Sequence, residues 1–169
     1  MAEASALFKA RLGVDVGRVI ALDDTDSGIS MLTESWRSTS YSPSCLEALY
    51  RLNSGMPFEN EVFIVSKCGP KVEARTRSWF HNTQFWTRTR IGPDHLFVVR
   101  ERGDKAAVAE RLSLTHFVDD RVGVLLAMSS VPYRYVFGPA EPPQVPPGVR
   151  WVRDWGELED RLHRDQPGR

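Results

Sequence analysis

Short apolar runs alternate with amphipathic stretches along most of this chain. Six runs are rich in valine, isoleucine, phenylalanine or tyrosine and have the length of strands: residues 11–16, 61–66, 95–99, 115–119, 133–137 and 149–152. Most of these runs are continuously apolar rather than alternating, which is typical of strands that are buried on both faces of a sheet. The pattern therefore predicts a sheet that other elements cover on both sides.

Helical patterns fall between these runs. Ser44 and Glu47 have the spacing of a capping box, at the start of a helix that stops near Gly55. Pro70 suits the first turn of a second helix, over residues 70–80. Three further segments have helical patterns: residues 104–112, 121–128 and 155–162. The alternation of strand and helix predicts an α/β fold of three layers, a parallel sheet with helices on both faces.

Two segments depart from this alternation. Residues 21–41 are polar, rich in serine and threonine and without a sustained period, which predicts a flap or long loop. Residues 138–148 contain five prolines and predict an extended connection to a C-terminal strand and helix over residues 149–163. Neither segment is long enough to fold separately, so the prediction is a single domain over residues 1–169.

Composition limits the classes of partner. Lysine plus arginine and aspartate plus glutamate balance at 22 each, so no field of one sign attracts nucleic acid or an anionic membrane. Basic and aromatic residues are interleaved over residues 75–90, a pattern also found on nucleic-acid surfaces. We interpret it as a core-facing aromatic stripe with arginines facing water. Nucleic acid is not an expected partner, and a charged ligand needs a local site.

The cysteines and the N-terminal residues bear on the compartment. Cys45 and Cys68 lie far apart and lack the spacing of a zinc site or of a disulfide-dense secreted scaffold. Residues 1–13 contain no long apolar core, so a signal peptide or membrane span is not expected. The expectation is a soluble, cytoplasmic protein without a membrane partner.

Polar residues lie at or just after four of the predicted strands. Asp15 ends the first run, Ser66 the second and the pair Asp119 and Asp120 the fourth, while Lys105 lies in the helix after the third. In an open parallel sheet, ligands bind beyond the carboxyl ends of the strands, where the strand order reverses. We therefore expect these five side chains at one site.

The stretches around these residues resemble the four motifs of the haloacid dehalogenase superfamily. They are "GVDVGRVI" (13–20), "VFIVSKCG" (62–69), "GDKAAVAERL" (103–112) and "HFVDDRVGVL" (116–125). The resemblance spans residues 11 to about 137, and its last part is also similar to the 5'-nucleotidase branch. It implies a Rossmann-like core, a magnesium-dependent phosphatase activity and a phosphorylated substrate.

The resemblance also implies roles for the reacting groups. Asp15 would be a nucleophile that attacks phosphorus and forms an aspartyl-phosphate, which divides a difficult hydrolysis into two displacements. Ser66, Lys67 and Lys105 would bind the phosphoryl group, and Lys105 would also balance the carboxylates packed around it.

A metal site follows from the same resemblance. Mg²⁺, which prefers oxygen ligands, would bind Asp15, the backbone carbonyl of Gly17 and Asp120. Asp119 would be a supporting carboxylate at this site. The metal would reduce the repulsion between an attacking carboxylate and a phosphate.

Gly17 departs from the family pattern, which has an acid-base aspartate at this position. General acid and base catalysis is worth about 10²- to 10⁴-fold in rate. Three explanations stay open. A flap aspartate, Asp24 ahead of Asp23 and Asp26, or a water could substitute. The reaction could need no acid, as in cleavage of phosphonates or haloacids. The protein could also be a catalytically impaired phosphate-binding or regulatory protein.

The segment between Asp15 and Ser66 leaves no room for a large cap domain. The chain supplies one flap and one helix there, so we expect an open site. An open site suits a bulky or macromolecular phosphorylated substrate, or a lid supplied by a second subunit of a homo-oligomer. The similarity of the fourth motif to nucleotidases favours a small phosphomonoester instead.

Overall fold

The computed structural model of the protein describes residues 9–23 and 27–167. Its strands, in chain order, are β1 (Leu12–Val14), β2 (Ala21–Leu22), β3 (Ser40–Tyr41), β4 (Val62–Lys67), β5 (Leu96–Val99), β6 (His116–Asp119), β7 (Tyr133–Phe137) and β8 (Val149–Val152). Its helices are α1 (Cys45–Ser54), α2 (Pro70–Asn82), α3 (Phe85–Thr89), α4 (Asp104–Arg111), α5 (Val122–Leu126) and α6 (Trp155–Arg164). Two 3-10 turns, Trp36–Ser38 and Pro93–His95, complete the elements.

Six of the strands form one parallel sheet, in the order β5-β4-β1-β6-β7-β8. Strand β1 pairs with β4 on one side and with β6 on the other, so the strand order reverses at β1. The three-layer α/β fold with a parallel sheet is confirmed. Among the described residues, no helix has both the length and the apolar character that crossing a membrane requires.

Apolar residues form a separate core on each face of the sheet. One core contains buried side chains of α1, α2, α3 and α6, and the other contains those of α4 and α5. Gly13 of β1 faces the second core, where a methyl group would lie 2.5 Å from the Phe117 ring. Glycine at this position therefore leaves room for the side chains of Phe117 and Leu114 against the central strand.

Two helix starts were predicted from local sequence, and the structure differs from the prediction at one of them. Helix α2 begins at Pro70, as predicted. Helix α1 begins after Ser44, but this residue is left-handed (φ 63°) and its side chain makes no capping bond, so the predicted capping box is wrong. Reciprocal capping occurs at α6 instead. Asp154 accepts a hydrogen bond from the Glu157 amide, and the Glu157 carboxylate accepts one from the backbone of the residue before Asp154.

The flap between β1 and α1 is anchored to α2. It consists of the β2–β3 ribbon and the first 3-10 turn, and no large cap domain is evident in the described part of the chain. Arg75 of α2 donates hydrogen bonds to the carbonyl oxygens of Met31 and Thr33, both at 3.1 Å, and to the Glu34 carboxylate at 2.7 Å. These three bonds fix the flap beside the sheet.

The aromatic stripe predicted over residues 75–90 is confirmed for its rings. Trp79, Phe80 and Phe85 are buried in the core, while Arg77, Arg88 and Arg90 are exposed. The prediction is wrong for Arg75, which is only 7% exposed. Its guanidinium faces inward because the flap supplies two carbonyl groups and a carboxylate for its donors.

Candidate active site

Asp15 lies directly after β1, at the point where the strand order reverses. Its backbone amide donates to the carbonyl oxygen of Val118 in β6, at 3.1 Å. This bond continues the β1–β6 pairing by one residue and turns the Asp15 side chain toward the crevice at the carboxyl edge of the sheet. The side chain is buried, with 6% of the residue exposed.

Lys105 joins two carboxylates that lie on neighbouring strands. Its Nζ donates to Asp15 Oδ1 and to Asp119 Oδ2, each at 2.8 Å. All three side chains are buried. Lys105 comes from the first turn of α4, which begins beyond β5, so three distant segments of the chain meet at this ion cluster. The structure brings these residues together as the sequence predicted.

Burial and charge shift the pKa values of this cluster strongly. Burial raises the pKa of Asp15 well above its usual value and the nearby Asp119 raises it further, against the opposing effect of Lys105. Burial alone would lower the pKa of Lys105, but Asp15 and Asp119 together raise it. The ionised form of each group thus depends on the others, and an additional cation would stabilise the carboxylates.

Three carboxylates at this edge are close enough to hold a metal ion. Asp15, Asp119 and Asp120 each offer an oxygen atom, and these atoms all lie within 4.8 Å of one another. Both oxygens of Asp119 already accept hydrogen bonds, one from Lys105 and one from the Arg121 amide at 3.0 Å. Asp120 is less buried and lines the cavity, so its oxygens are freer to bind a cation.

A cavity of about 340 Å³ opens above these residues. Asp15, Lys105 and Asp120 line it together with Ser66 and Lys67, which lie at the carboxyl end of β4. Ser66 is buried and Lys67 is exposed. The residues predicted to bind phosphate therefore share one cavity with the carboxylates.

Comparison with known proteins identifies the fold. No family model matches the sequence, and no curated protein sequence matches it. A solved structure from Mesorhizobium loti, named a "putative HAD-like phosphatase", is similar with a TM-score of 0.54. The similarity covers 95% of this chain and 89% of that chain, at 16% sequence identity. The chain has a haloacid dehalogenase (HAD)-like fold.

Gly17 lines the cavity of this HAD-like fold without any steric need for glycine. No atom lies within 4 Å of the position that a Cβ would occupy there, and the backbone of Gly17 is not left-handed. The carbonyl oxygen of Val16 accepts hydrogen bonds from the amides of Val19, Ile20 and Ala21, which holds the loop in a tight turn. A larger side chain at position 17 would therefore enter open space.

The flap aspartates are only partly covered by the structure. Asp24, the predicted substitute acid, and Asp26 lie outside the described residues. Asp23 lines the cavity of the HAD-like fold and pairs with Arg18, whose Nε lies 3.3 Å from its carboxylate. A catalytic role for Asp24 stays a prediction.

Several cavity residues were missed by the sequence reasoning. Arg18, Arg102 and Arg121 add positive charge to the rim, and Leu22 and Leu32 of the flap add apolar surface. A positional signal existed for the arginines, because each lies within three residues of a predicted site residue. The flap leucines carry no such signal, since the folding of the flap over the HAD-like core brings them to the cavity.

Proposed function

We propose that this protein is a magnesium-dependent phosphohydrolase that acts through an aspartyl-phosphate on Asp15. The observation that carries this proposal is the contact of one buried lysine, Lys105, with both Asp15 and Asp119 at the floor of a cavity. The HAD-like fold, shared with a structure named a phosphatase, supports it. We further propose that the described chain is a single domain, because both cores lie against one sheet. We also propose that it acts in the cytoplasm, where thiols such as those of its free Cys45 and Cys68 stay reduced.

Asp15 would be the nucleophile of this reaction. Its Oδ1 is held by Lys105, which leaves Oδ2 without a hydrogen-bond partner among the described residues. Attack by Oδ2 would form the bond to phosphorus while the bond from phosphorus to the ester oxygen breaks, and the leaving alcohol would take up a proton from water or from Asp24. A water molecule would then hydrolyse the acyl-phosphate and release inorganic phosphate, which restores the carboxylate.

The remaining residues would bind and neutralise charge. Asp15, Asp120 and the carbonyl oxygen of Gly17 would hold Mg²⁺, which supplies positive charge between a carboxylate and a phosphate that otherwise repel each other. Ser66 would donate its hydroxyl proton to a phosphoryl oxygen, and Lys105 and the exposed Lys67 would bind the same group through their ammonium protons.

A second function is supported by Gly17, which cannot supply or accept a proton. A phosphate-binding or regulatory protein with impaired turnover would keep the lysines, serine and carboxylates of the cavity but lack an acid for the leaving group. Reactions that need no such acid, cleavage of phosphonates or haloacids, fit the same geometry. The binding protein differs from the proposed phosphohydrolase in its lack of turnover, and the phosphonate or haloacid reactions differ from it in their substrates.

Release of inorganic phosphate tests the proposal. The wild-type protein is incubated with nucleotides, sugar phosphates, a phosphopeptide, an aryl phosphate, a phosphonate and a haloacid, with and without Mg²⁺. We expect magnesium-dependent release that Asp15→Asn abolishes. Asp160→Asn, an exposed aspartate of α6, is the matched control and keeps full activity. Binding of phosphate without turnover of any substrate would favour the phosphate-binding or regulatory protein. Product from the phosphonate or the haloacid alone would favour cleavage of those compounds as the function.

A further inference from the structure

The cavity above Asp15 has two sides of different character. On one side the flap contributes Leu22 and Leu32, which are 45% and 74% exposed. On the other side, Arg102 precedes α4 and Arg121 precedes α5, and these helices pack on the opposite face of the sheet from the flap. The cavity thus places an apolar surface opposite a cationic one.

The two arginines on the cationic side have no internal partner. Neither Arg102 nor Arg121 makes an ion pair or a side-chain hydrogen bond with any residue that the structure describes. Both are exposed and both line the cavity. By contrast, Arg18 on the same rim is paired with Asp23. Arg100, which donates to the carbonyl oxygen of the cavity residue Cys68, is paired with Glu73.

The charge around the cavity exceeds what one phosphate group needs. Lys105 and a divalent cation together would balance the three carboxylates at the floor. Lys67, Arg102 and Arg121 then remain as uncompensated positive charges, against the roughly two negative charges of one phosphate. A ligand with one phosphate alone would leave part of this positive charge unpaired.

We propose that the substrate is a small phosphomonoester with a second anionic group, a phosphate or a carboxylate, which Arg102 and Arg121 bind. Guanidinium groups match the planar oxygen pairs of such anions in bidentate contacts. The flap leucines would cover the carbon skeleton. The cavity volume of about 340 Å³ lies at the lower end of small-molecule sites, which favours a small ligand over a phosphorylated polypeptide. This inference rests on the proposed function, because it takes Asp15 as the site of the first phosphate.

Paired substrates test the inference. Glycerol 3-phosphate is compared with 3-phosphoglycerate, which adds a carboxylate, and adenosine 5'-phosphate with adenosine 3',5'-bisphosphate, which adds a phosphate. We expect kcat/KM to be at least about tenfold higher for the doubly anionic member of one pair, with the difference mainly in KM. Arg102→Gln and Arg121→Gln should each reduce this ratio severalfold. Arg88→Gln, an exposed arginine of α3 outside the cavity, should leave the ratio unchanged.

Binding measurements separate this inference from the proposed function. Calorimetry on the wild-type protein and on Asp15→Asn measures the affinity for the same four compounds. Tighter binding of the doubly anionic compounds that depends on Arg102 and Arg121, without any turnover, would support the second anion site at these arginines and overturn the proposed function. Hydrolysis without preference for a second anion, preference for a phosphopeptide, or a preference that survives both arginine substitutions would overturn the inference and leave the function standing. Absence of both binding and turnover would overturn both.

Discussion

Lys105 is the residue on which the charges of the site depend. Its ammonium group is the cation between two buried carboxylates, and without it Asp15 and Asp119 would face each other with no positive charge of the chain between them. We expect Lys105→Met to lower the free energy of unfolding by about 3 kcal/mol in metal-free buffer, the usual cost of removing one partner of a buried ion pair.

Urea denaturation measures this effect. Lys67→Met is the matched control, because Lys67 lines the same cavity but is exposed and makes no ion pair with the described residues. Its free energy of unfolding should change by less than about 0.5 kcal/mol. Equal effects of the two substitutions would show that the ion cluster is not stabilised by Lys105.

Gly17 offers a direct test of the missing acid. Because open space surrounds the position of its Cβ, Gly17→Asp should fold normally and place a carboxyl group in the cavity. We expect turnover of phosphomonoesters to rise, by up to about 10²-fold if no other group serves as the acid. Steady-state kinetics should show the rise in kcat. Gly17→Asn is the control, since it has the same size without a titratable proton, and equal activity of the two variants would contradict the prediction.

His116 should make stability depend on pH. It is fully buried, its ring stacks on Tyr133, and burial lowers its pKa to about 4 from 6.5. Between these values the unfolded chain binds a proton that the folded protein does not, so stability falls as pH decreases from about 6.5 toward 4. The loss should reach about 3 kcal/mol.

Comparison of variants isolates this contribution from other titrating groups. Free energies of unfolding of the wild-type protein and His116→Gln are measured from pH 7.5 to about pH 4. Their difference should shrink as pH falls, because the variant lacks the group that protonates on unfolding. His163→Gln, an exposed histidine of α6, should show no such change relative to wild type. A constant difference between wild type and His116→Gln would refute the prediction.

At the scale of elements, hydrogen bonds and ring stacking anchor the described part of the flap to α2. Arg75 donates three hydrogen bonds to it, and the Trp79 indole donates another to the carbonyl oxygen of Thr39 at 3.1 Å. The ring of Tyr41 stacks on Trp79 with centroids 4.2 Å apart. The apolar side of the cavity is therefore positioned by α2.

Arg75→Gln should free this flap. A hydrogen bond from a charged donor contributes about 1.5–3 kcal/mol, and the variant loses most of these bonds. We expect chymotrypsin to cleave the flap at least about tenfold faster, at Leu32 or Trp36, as measured by mass spectrometry of timed digests. Arg77→Gln removes an exposed arginine of the same helix and should leave the cleavage rate unchanged. Cleavage of Arg75→Gln at the wild-type rate would mean that the contacts of Trp79 with Thr39 and Tyr41 hold the flap without Arg75.

The sequence predicted the six strands of the large sheet and five of the six helices that the structure describes. All six strands of the sheet were found because continuous runs of apolar residues mark strands buried on both faces. Helix α3 escaped because it follows α2 after only two residues, within the stretch interpreted as one aromatic stripe. The strands of the β2–β3 ribbon escaped because two residues carry no hydrophobic period.

Residue positions were predictable where the topology fixed them. Asp15, Ser66 and Lys105 could be placed at one site because the carboxyl ends of parallel strands meet at one edge. The inward orientation of Arg75 and the contribution of the flap leucines could not, because both depend on how the flap folds back onto α2. Whether Asp24 replaces the acid missing at Gly17 stays a prediction.

At the scale of the whole molecule, the C-terminal helix supports the loop after the candidate nucleophile. Trp155 of α6 donates its indole N–H to the carbonyl oxygen of Val19, at 2.9 Å. Trp155 is 1% exposed and packs in the same core as Val19 and Ile20. The C-terminal helix thus holds the turn that begins at Val16, next to Asp15.

Trp155→Phe should weaken this support. Loss of the indole bond should lower the free energy of unfolding by about 1 kcal/mol and reduce kcat, because the loop beside Asp15 shifts. Trp151→Phe is the control, since its indole donates a similar bond, 2.9 Å to the carbonyl oxygen of Gly138, far along the sheet from Asp15. Thermal denaturation should show similar losses of stability for Trp155→Phe and Trp151→Phe. Steady-state kinetics should show a lower kcat only for Trp155→Phe. An equal kcat for both variants would exclude this long-range support.

The central place of β1 determines when the site can assemble as the chain is synthesised. Leu12 pairs with Val62 on one side and with His116 on the other, so β1 leaves the ribosome before both of its partner strands, β4 and β6. Such distant pairings slow folding, because loop closure precedes the stabilising contacts. Nascent chains that end before β6 keep one edge of β1 unpaired and lack Asp119, so they are candidates for chaperone binding.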